Sequence, residues 1–120
     1  MDHYSIDSDV RFGPLEVIDV KDVVAACQDP WCNQALCEVN DSVIRLGVLQ
    51  GEFHWHKHDH EDEFFFVLDG TFLVDLEDET IALEAHQGYA VPKGVVHRTR
   101  APERAIVLLV EGASVDLRGD

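Results

Sequence analysis

Basic residues are scarce in this chain. Only 9 Lys and Arg stand against 24 Asp and Glu in 120 residues, a formal net charge of -15. A surface this acidic repels phosphate backbones and anionic lipid headgroups, which argues against nucleic-acid and membrane partners. No run approaches the roughly 18 consecutive apolar residues that mark a membrane-spanning helix. The opening segment MDHYSIDSDVR lacks the basic and then apolar regions of a secretory signal, so the expected location is the cytoplasm. Cysteine is sparse too: Cys27, Cys32 and Cys37. An odd number gives no disulfide framework. Neighbours at a spacing of five lie about 140° apart on a helix and on opposite faces of a strand, a poor arrangement for a shared metal. Pro30 interrupts the run as well. Three reduced thiols, packed as small apolar groups, are the expectation. Internal repeats and low-complexity tracts are absent.

What is present suits one folded domain. Hydrophobic residues make up 46% of the chain, enough for one modest core. Residues 1–14 read as a loose or extended arm ending at Gly13-Pro14. EVIDV (16–20) is a short strand candidate. The stretch from Asp22 to Cys27 predicts a brief helix stopped ahead of Pro30, because residues before proline avoid the α region. From Ser42 onward the pattern becomes β. VIRLGVLQGEFHWHKH predicts a long strand, followed by EFFFVL (63–68), the turn Asp69-Gly70 and TFLVDL (71–76). TIALE (80–84), YAVP (89–92), VVHRTRA (95–101) and RAIVLLVEG (104–112) complete the series. Short strands at such spacing predict an all-β barrel or sandwich.

The densest chemistry lies in HWHKHDHEDE, residues 54–63, which holds four of the seven histidines. His54, His56, His58 and His60 alternate, and on a strand they would share one face. Two imidazoles at i and i+2 can hold one metal from adjacent corners, with further ligands from neighbouring strands. Glu63 lies just across the turn, and His97 sits in a strand far along the chain. Three imidazoles and a carboxylate suit a divalent Zn, Fe, Mn, Ni or Co ion with positions left for water or substrate. Parity alone leaves the pairs 54/56, 56/58 and 58/60 open, although 58/60 would force a very tight return to Glu63.

These motifs resemble the cupin superfamily, whose first motif is roughly G(X)5HXH(X)3-4E(X)6G. The chain offers His56-Lys57-His58, four residues, Glu63, six residues and Gly70. The second motif is roughly PG(X)5PXG(X)2H(X)3N, and here Pro92-Lys93-Gly94-Val95-Val96-His97 matches its centre. The resemblance covers roughly residues 42–112 and is similar to small single-domain bacterial cupins of the mannose-6-phosphate isomerase-like group. It implies His56, His58, Glu63 and His97 as metal ligands, one divalent metal per chain (Zn, Fe, Mn or Ni), a jelly-roll-like antiparallel barrel and a homodimer. The implied layout is an arm and short helix at 1–41, a cupin core at 42–112 and a tail at 113–120. Three departures stand out. Gly51 is one residue closer to the first histidine than the motif states, Ala85-His86 replaces Pro-Gly, and Ala101 replaces Asn. The motif's glycine serves a turn with positive φ, so His86 is expected in a left-handed conformation.

The implied function is divalent-metal chemistry on a small polar molecule in the barrel mouth. Redox-neutral isomerase, lyase or cyclase chemistry comes first, with Glu63 moving a proton. A metal-dependent dioxygenase and a non-catalytic binding or sensor module are the alternatives. Phe65 and Val67 share the parity of Glu63 and are expected on the cavity wall, with Tyr89 a candidate cavity hydroxyl. His54 and His60 are expected as accessory groups at the rim. Phe53 and Trp55 are expected on the opposite face from the histidines. Arg98 and Arg100 have the opposite parity to His97 and should face away, leaving no evident inward cation.

Overall fold

The structure, a computed structural model, describes residues 4–120; the first three residues of the expected arm lie outside the described residues. Nine elements follow in order: β1 (Tyr4–Asp7), α1 (Val20–Ala26), β2 (Trp31–Val39), β3 (Ser42–Glu52), β4 (Glu63–Asp69), β5 (Phe72–Asp75), β6 (Thr80–Leu83), β7 (Gly88–Val91) and β8 (Arg98–Gly112). The eight strands form one sheet with neighbours in the order β1-β2-β3-β8-β4-β7, while β5 joins β6 to the start of β8. Every pairing is antiparallel except β1 with β2. This is the expected all-β architecture. Among the described residues no helix is long and apolar enough to cross a membrane.

β8 holds the sheet together. Its first residues pair with β5, and its later ones lie between β3 and β4. Two predicted segments, 95–101 and 104–112, thus form a single strand of 15 residues. Alternation along it sorts the core. Ala105, Val107 and Leu109 point inward with Phe65, Val67, Phe72 and Val74. Ile106 and Leu108 point outward, under α1, with Leu46, Val48 and Val23. Burying a side chain such as Phe72 or Val67 contributes about 1.5–3 kcal/mol, so both faces of β8 do packing work. The Asp69-Gly70 turn feeds β5 beneath this strand. Gly70 has φ +85°, and a Cβ there would meet the Arg104 carbonyl oxygen at 2.8 Å.

The N-terminal region differs most from expectation. EVIDV forms no strand; its last residue opens α1, capped by Asp19, whose side chain accepts a hydrogen bond from Lys21 N. Antiparallel pairing starts at Trp31 rather than Ser42, because β2 runs along β3 for its whole length, and Tyr4–Asp7 of the expected arm adds a parallel strand to β2. The signal was weak, since WCNQALCEV mixes polar and apolar residues without clean alternation. The cysteines also depart from expectation: Cys27 and Cys32 form a disulfide, and Cys37 is a free, half-buried thiol. The spacing argument assumed one element carrying both cysteines. Instead Cys27 ends α1 and Cys32 lies in β2, and the reversal at Asp29-Pro30 brings their Cα atoms within 6.2 Å. The predicted strand from Val43 to His58 stops at Glu52, after the register shifts between Leu49 and Gly51, where Gly51 has φ +107°. Residues 53–62 leave the regular sheet as a loop.

Two stability measurements test this description. Reduction of Cys27–Cys32, or Cys32→Ser, should cost about 2 kcal/mol from the short closed loop alone, read as a lower urea midpoint; an unchanged midpoint would contradict a tie between α1 and β2. His86 has φ 70°, the left-handed value expected of it. His86→Gly should therefore hold or raise the melting temperature of metal-free protein, with a gain of up to about 1 kcal/mol. A clear drop would show that the imidazole makes a stabilising contact.

Candidate metal centre

The loop that carries His56 and His58 is pinned to the segment 93–99 at four points. Phe53 N donates to Thr99 O at 2.9 Å. His56 and His97 exchange backbone hydrogen bonds at 3.0 and 2.9 Å, an isolated bridge outside any strand. Gly94 N donates to His58 O at 2.7 Å, and Asp62 Oδ1 accepts from Lys93 N at 3.0 Å. These ties bring residues from two loops against β4, where Glu63 is the first residue. One donor atom from each of His56, His58, Glu63 and His97 lies within 4.8 Å of the others.

Hydrogen bonds fix how these rings present themselves. His56 Nδ1 lies 2.9 Å from the His54 carbonyl and His97 Nδ1 lies 2.9 Å from the Val95 carbonyl. A carbonyl can only accept, so both Nδ1 atoms carry a proton, which leaves Nε2 of each ring as the atom that would ligate; His97 Nε2 meets Glu63 Oε1 in a hydrogen-bond contact. His58 is buried, with a relative exposure of 2%, and neither ring nitrogen has a hydrogen-bond partner. Its Nε2 approaches Glu63 Oε1 at 3.6 Å, too far for a hydrogen bond. A buried imidazole with both nitrogens unpaired costs free energy. Three imidazoles and a carboxylate are also the donor set a divalent first-row ion takes. The residues therefore fit a metal.

Charge at the site is held unevenly. Burial keeps His56 neutral, lowering its pKa to about 4. Burial also pulls His58 down, but the nearby Glu63 carboxylate outweighs it, and the net shift is upward. Glu63 is itself pushed up by burial, yet His58 and His97 outweigh that and hold it well below the usual carboxylate range. His97 Nε2 lies 3.2 Å from Glu63 Oε1.

Behind this group lies a second buried layer that the sequence analysis missed. Glu111 of β8 is directly opposite Glu63 in the sheet register, and it is 3% exposed. Burial and the charge of Glu63 push it well above the normal carboxylate range, so the two carboxyl groups hold one proton between them. Arg45 Nε sits 3.1 Å from Glu111 Oε1, an ion-pair contact not aligned as a hydrogen bond. Arg45 also reaches Asn33 Oδ1 at 3.4 Å. The expectation of no inward cation is corrected: Arg45 is that cation. A signal existed, because Arg45 and Glu111 are lone charges at inward-parity positions of otherwise apolar strands.

A cavity opens beside His56 and Glu63. Its apolar wall includes Trp31, Phe53, Phe65, Phe72 and Leu117, with Asn33 and Thr99 as polar groups. Phe65 thus lines the cavity, Val67 is fully buried in the core below it, and Tyr89 packs half-buried against the same core cluster. Phe53 turns into the cavity, contrary to the expectation from alternation, because the chain has left the strand at Glu52. Trp55 is exposed on the outside, beneath the guanidinium of Arg98 at 5.0 Å. Arg98 and Arg100 both bind the buried Asp75 carboxylate, at 3.0 and 2.7 Å, away from the histidines. His54 and His60 are exposed, and His54 Nε2 lies 2.6 Å from the Arg118 carbonyl.

Comparisons with known proteins agree with this geometry. The uncharacterized protein YdbB of Bacillus subtilis (strain 168) is 48% identical over 85 residues, which is 70% of this chain and 75% of that protein. The polyketide synthase CurC of Streptomyces cyaneus is 42% identical over 59 residues, but this covers 49% of the chain and 36% of CurC. Among solved structures, a cupin-2 domain containing protein from Shewanella frigidimarina NCIMB 400 superposes with a TM-score of 0.76 at 34% identity, covering 80% of this chain and 94% of that one. The cupin domain family itself matches residues 43–111. With its barrel, its paired histidine motifs and this match across more than half of its length, the chain belongs to the cupin family.

Proposed function

We propose that the protein binds one divalent metal through His56, His58, Glu63 and His97 and carries out redox-neutral proton-transfer chemistry, of the isomerase, lyase or cyclase kind, on a small molecule in the adjoining cavity. The observation behind the metal is the convergence of the four donor atoms around an unpaired, buried His58. When bound, such an ion supplies Lewis-acid polarisation of a substrate oxygen. The redox-neutral choice is favoured by the Glu63–Glu111 pair, which keeps a charged carboxylate and a stored proton side by side at the cavity floor. Glu63 faces the cavity and can take a proton from a bound molecule. Glu111 lies behind it and keeps the pair at one proton in the resting state. The apolar wall of Trp31, Phe53 and Phe65 excludes water from that exchange.

Metal content tests the ligand set first. His56→Ala, His58→Ala and His97→Ala should each lose most bound metal by elemental analysis, while His54→Ala and His60→Ala retain it. Loss in His60→Ala with retention in His56→Ala would overturn the register. Affinity should also depend on pH. His58 has a raised pKa, so its proton must leave before it ligates, whereas His56, lowered to about 4, offers no such competition near neutrality. Zinc affinity should fall by about tenfold per pH unit as pH drops below the raised value of His58; a flat profile between pH 8 and 5.5 would remove His58 from the site. The reaction class is tested with sugars, keto acids and phenols on Fe-, Mn-, Ni- and Zn-loaded protein, with and without oxygen. Turnover under nitrogen supports the proposal. Turnover only with Fe(II) and stoichiometric oxygen uptake would make the protein a dioxygenase, and saturable binding without turnover would make it a sensor.

A further inference from the structure

The C-terminal segment 113–120 does not trail away from the barrel. It crosses the cavity mouth and is clipped to the histidine loop along its length. Ser114 Oγ donates to Glu61 Oε1 at 3.3 Å, and the Arg118 carbonyl accepts from His54 Nε2 at 2.6 Å. Asp120 N donates to Lys57 O at 2.9 Å, and Asp120 Oδ2 accepts from Asp59 N at 2.6 Å. The guanidinium of Arg118 lies 6.0 Å from the Tyr4 ring centroid, on the other lip. Gly119 passes so close to His56 that a Cβ on it would sit 2.5 Å from His56 Cβ.

One side chain of this strap enters the site. Leu117 joins Trp31, Phe53 and Phe65 in the wall of the cavity beside His56 and Glu63. With Leu117 in place the remaining cavity is about 30 Å³, room for a water or two and too small for an organic substrate. Apart from Leu117, the strap is held by contacts among exposed groups rather than by sheet pairing. Such contacts are individually weak in water, so the strap can leave without unfolding the barrel.

We propose that Leu117 stands in for part of the substrate: the site takes a molecule with a metal-binding oxygen head and a compact apolar body, and that body displaces Leu117 as the strap lifts. This deepens the proposed function and rests on the metal centre described there. The chemistry of the two ends follows from their surroundings. The head faces three imidazoles and a carboxylate. The body enters an aromatic pocket whose polar groups besides the ligands are Asn33 and Thr99. Because the pocket is occupied by the chain itself, apparent affinity is reduced by the fraction of molecules in the open state. The strap thereby screens ligands: a head without a body meets the metal but gains nothing from the pocket.

The test uses two variants of the full chain. Leu117→Ala empties the pocket without adding bulk. Gly119→Val drives a side chain into His56 Cβ and lifts the strap while Leu117 is unchanged. The probes on zinc-loaded protein are 4-nitrocatechol, which has an oxygen pair and an aromatic body, and oxalate, which has the oxygen pair alone. Both variants should bind 4-nitrocatechol about tenfold more tightly than the parent, and Leu117→Ala should leave oxalate affinity within about twofold. Unchanged 4-nitrocatechol affinity with zinc retained, or an equal gain for oxalate in Leu117→Ala, would overturn the proposal. Metal-free protein provides a separate arm, with 4-nitrophenol binding followed by quenching of tryptophan fluorescence. Leu117→Ala should bind it and the parent should not; equal binding would sink the stand-in role even if the metal centre holds. Failure of every form to retain zinc would remove the metal centre, and the nitrophenol arm would still decide the role of Leu117.

Discussion

A carboxylate that stays charged inside an apolar barrel is the constraint around which this protein is arranged. Glu63 opens β4 with a relative exposure of 5%, surrounded by Phe65, Leu109 and Phe53. Left alone, a buried carboxylate costs several kcal/mol and takes up a proton instead. Here burial and the charge of Glu63 push the pKa of the neighbouring Glu111 up, so the pair takes its proton there more readily, Arg45 stands beyond it, and His58 and His97 approach Glu63 from the open side. Across the barrel a buried cation, Arg45, is followed by the proton-bearing Glu111, the charged Glu63 and the imidazoles. Loss of one member leaves the next as an uncompensated buried charge.

That row exists because of strand register. β8 lies between β3 and β4, and its Glu111 is the partner of Val43 on one side and Glu63 on the other. Arg45, two residues from Val43 along β3, keeps the same inward parity. A one-residue slip of β8 would carry Glu111 to the outer face and leave Glu63 facing Arg45 without a proton-bearing partner. The same strand packs Ala105, Val107 and Leu109 inward, so hydrophobic burial and the charged row enforce one register. The histidine loop is freer. It leaves the sheet after Glu52 and is held by bonds to residues 93–99, and the C-terminal strap closes over it.

Much of this was readable from the residues. The alternation in EFFFVL and RAIVLLVEG marked strands, and the parity of Phe65 and Val67 with Glu63 follows from that alternation. The spacing of His56, His58, Glu63 and His97 matched a known pattern. His86, where that pattern carries glycine, was expected at positive φ and has it. Other features were hidden for identifiable reasons. β2 lacks clean alternation. The disulfide joins cysteines on two different elements across a chain reversal. Phe53 was placed outside because a strand was extended through residues that form a loop.

The sequence by itself determined the all-β class, most strand positions and the set of metal-compatible residues, because periodicity and motif spacing are local properties of the chain. Only the tertiary structure decided that Arg45 and Glu111 back Glu63, and that the tail returns to seat Leu117 beside His56. Those contacts join residues 45, 63, 111 and 117, which are far apart in sequence. They depend on which strands become neighbours and in what register, and on where a segment outside the sheet finds its hydrogen-bond partners.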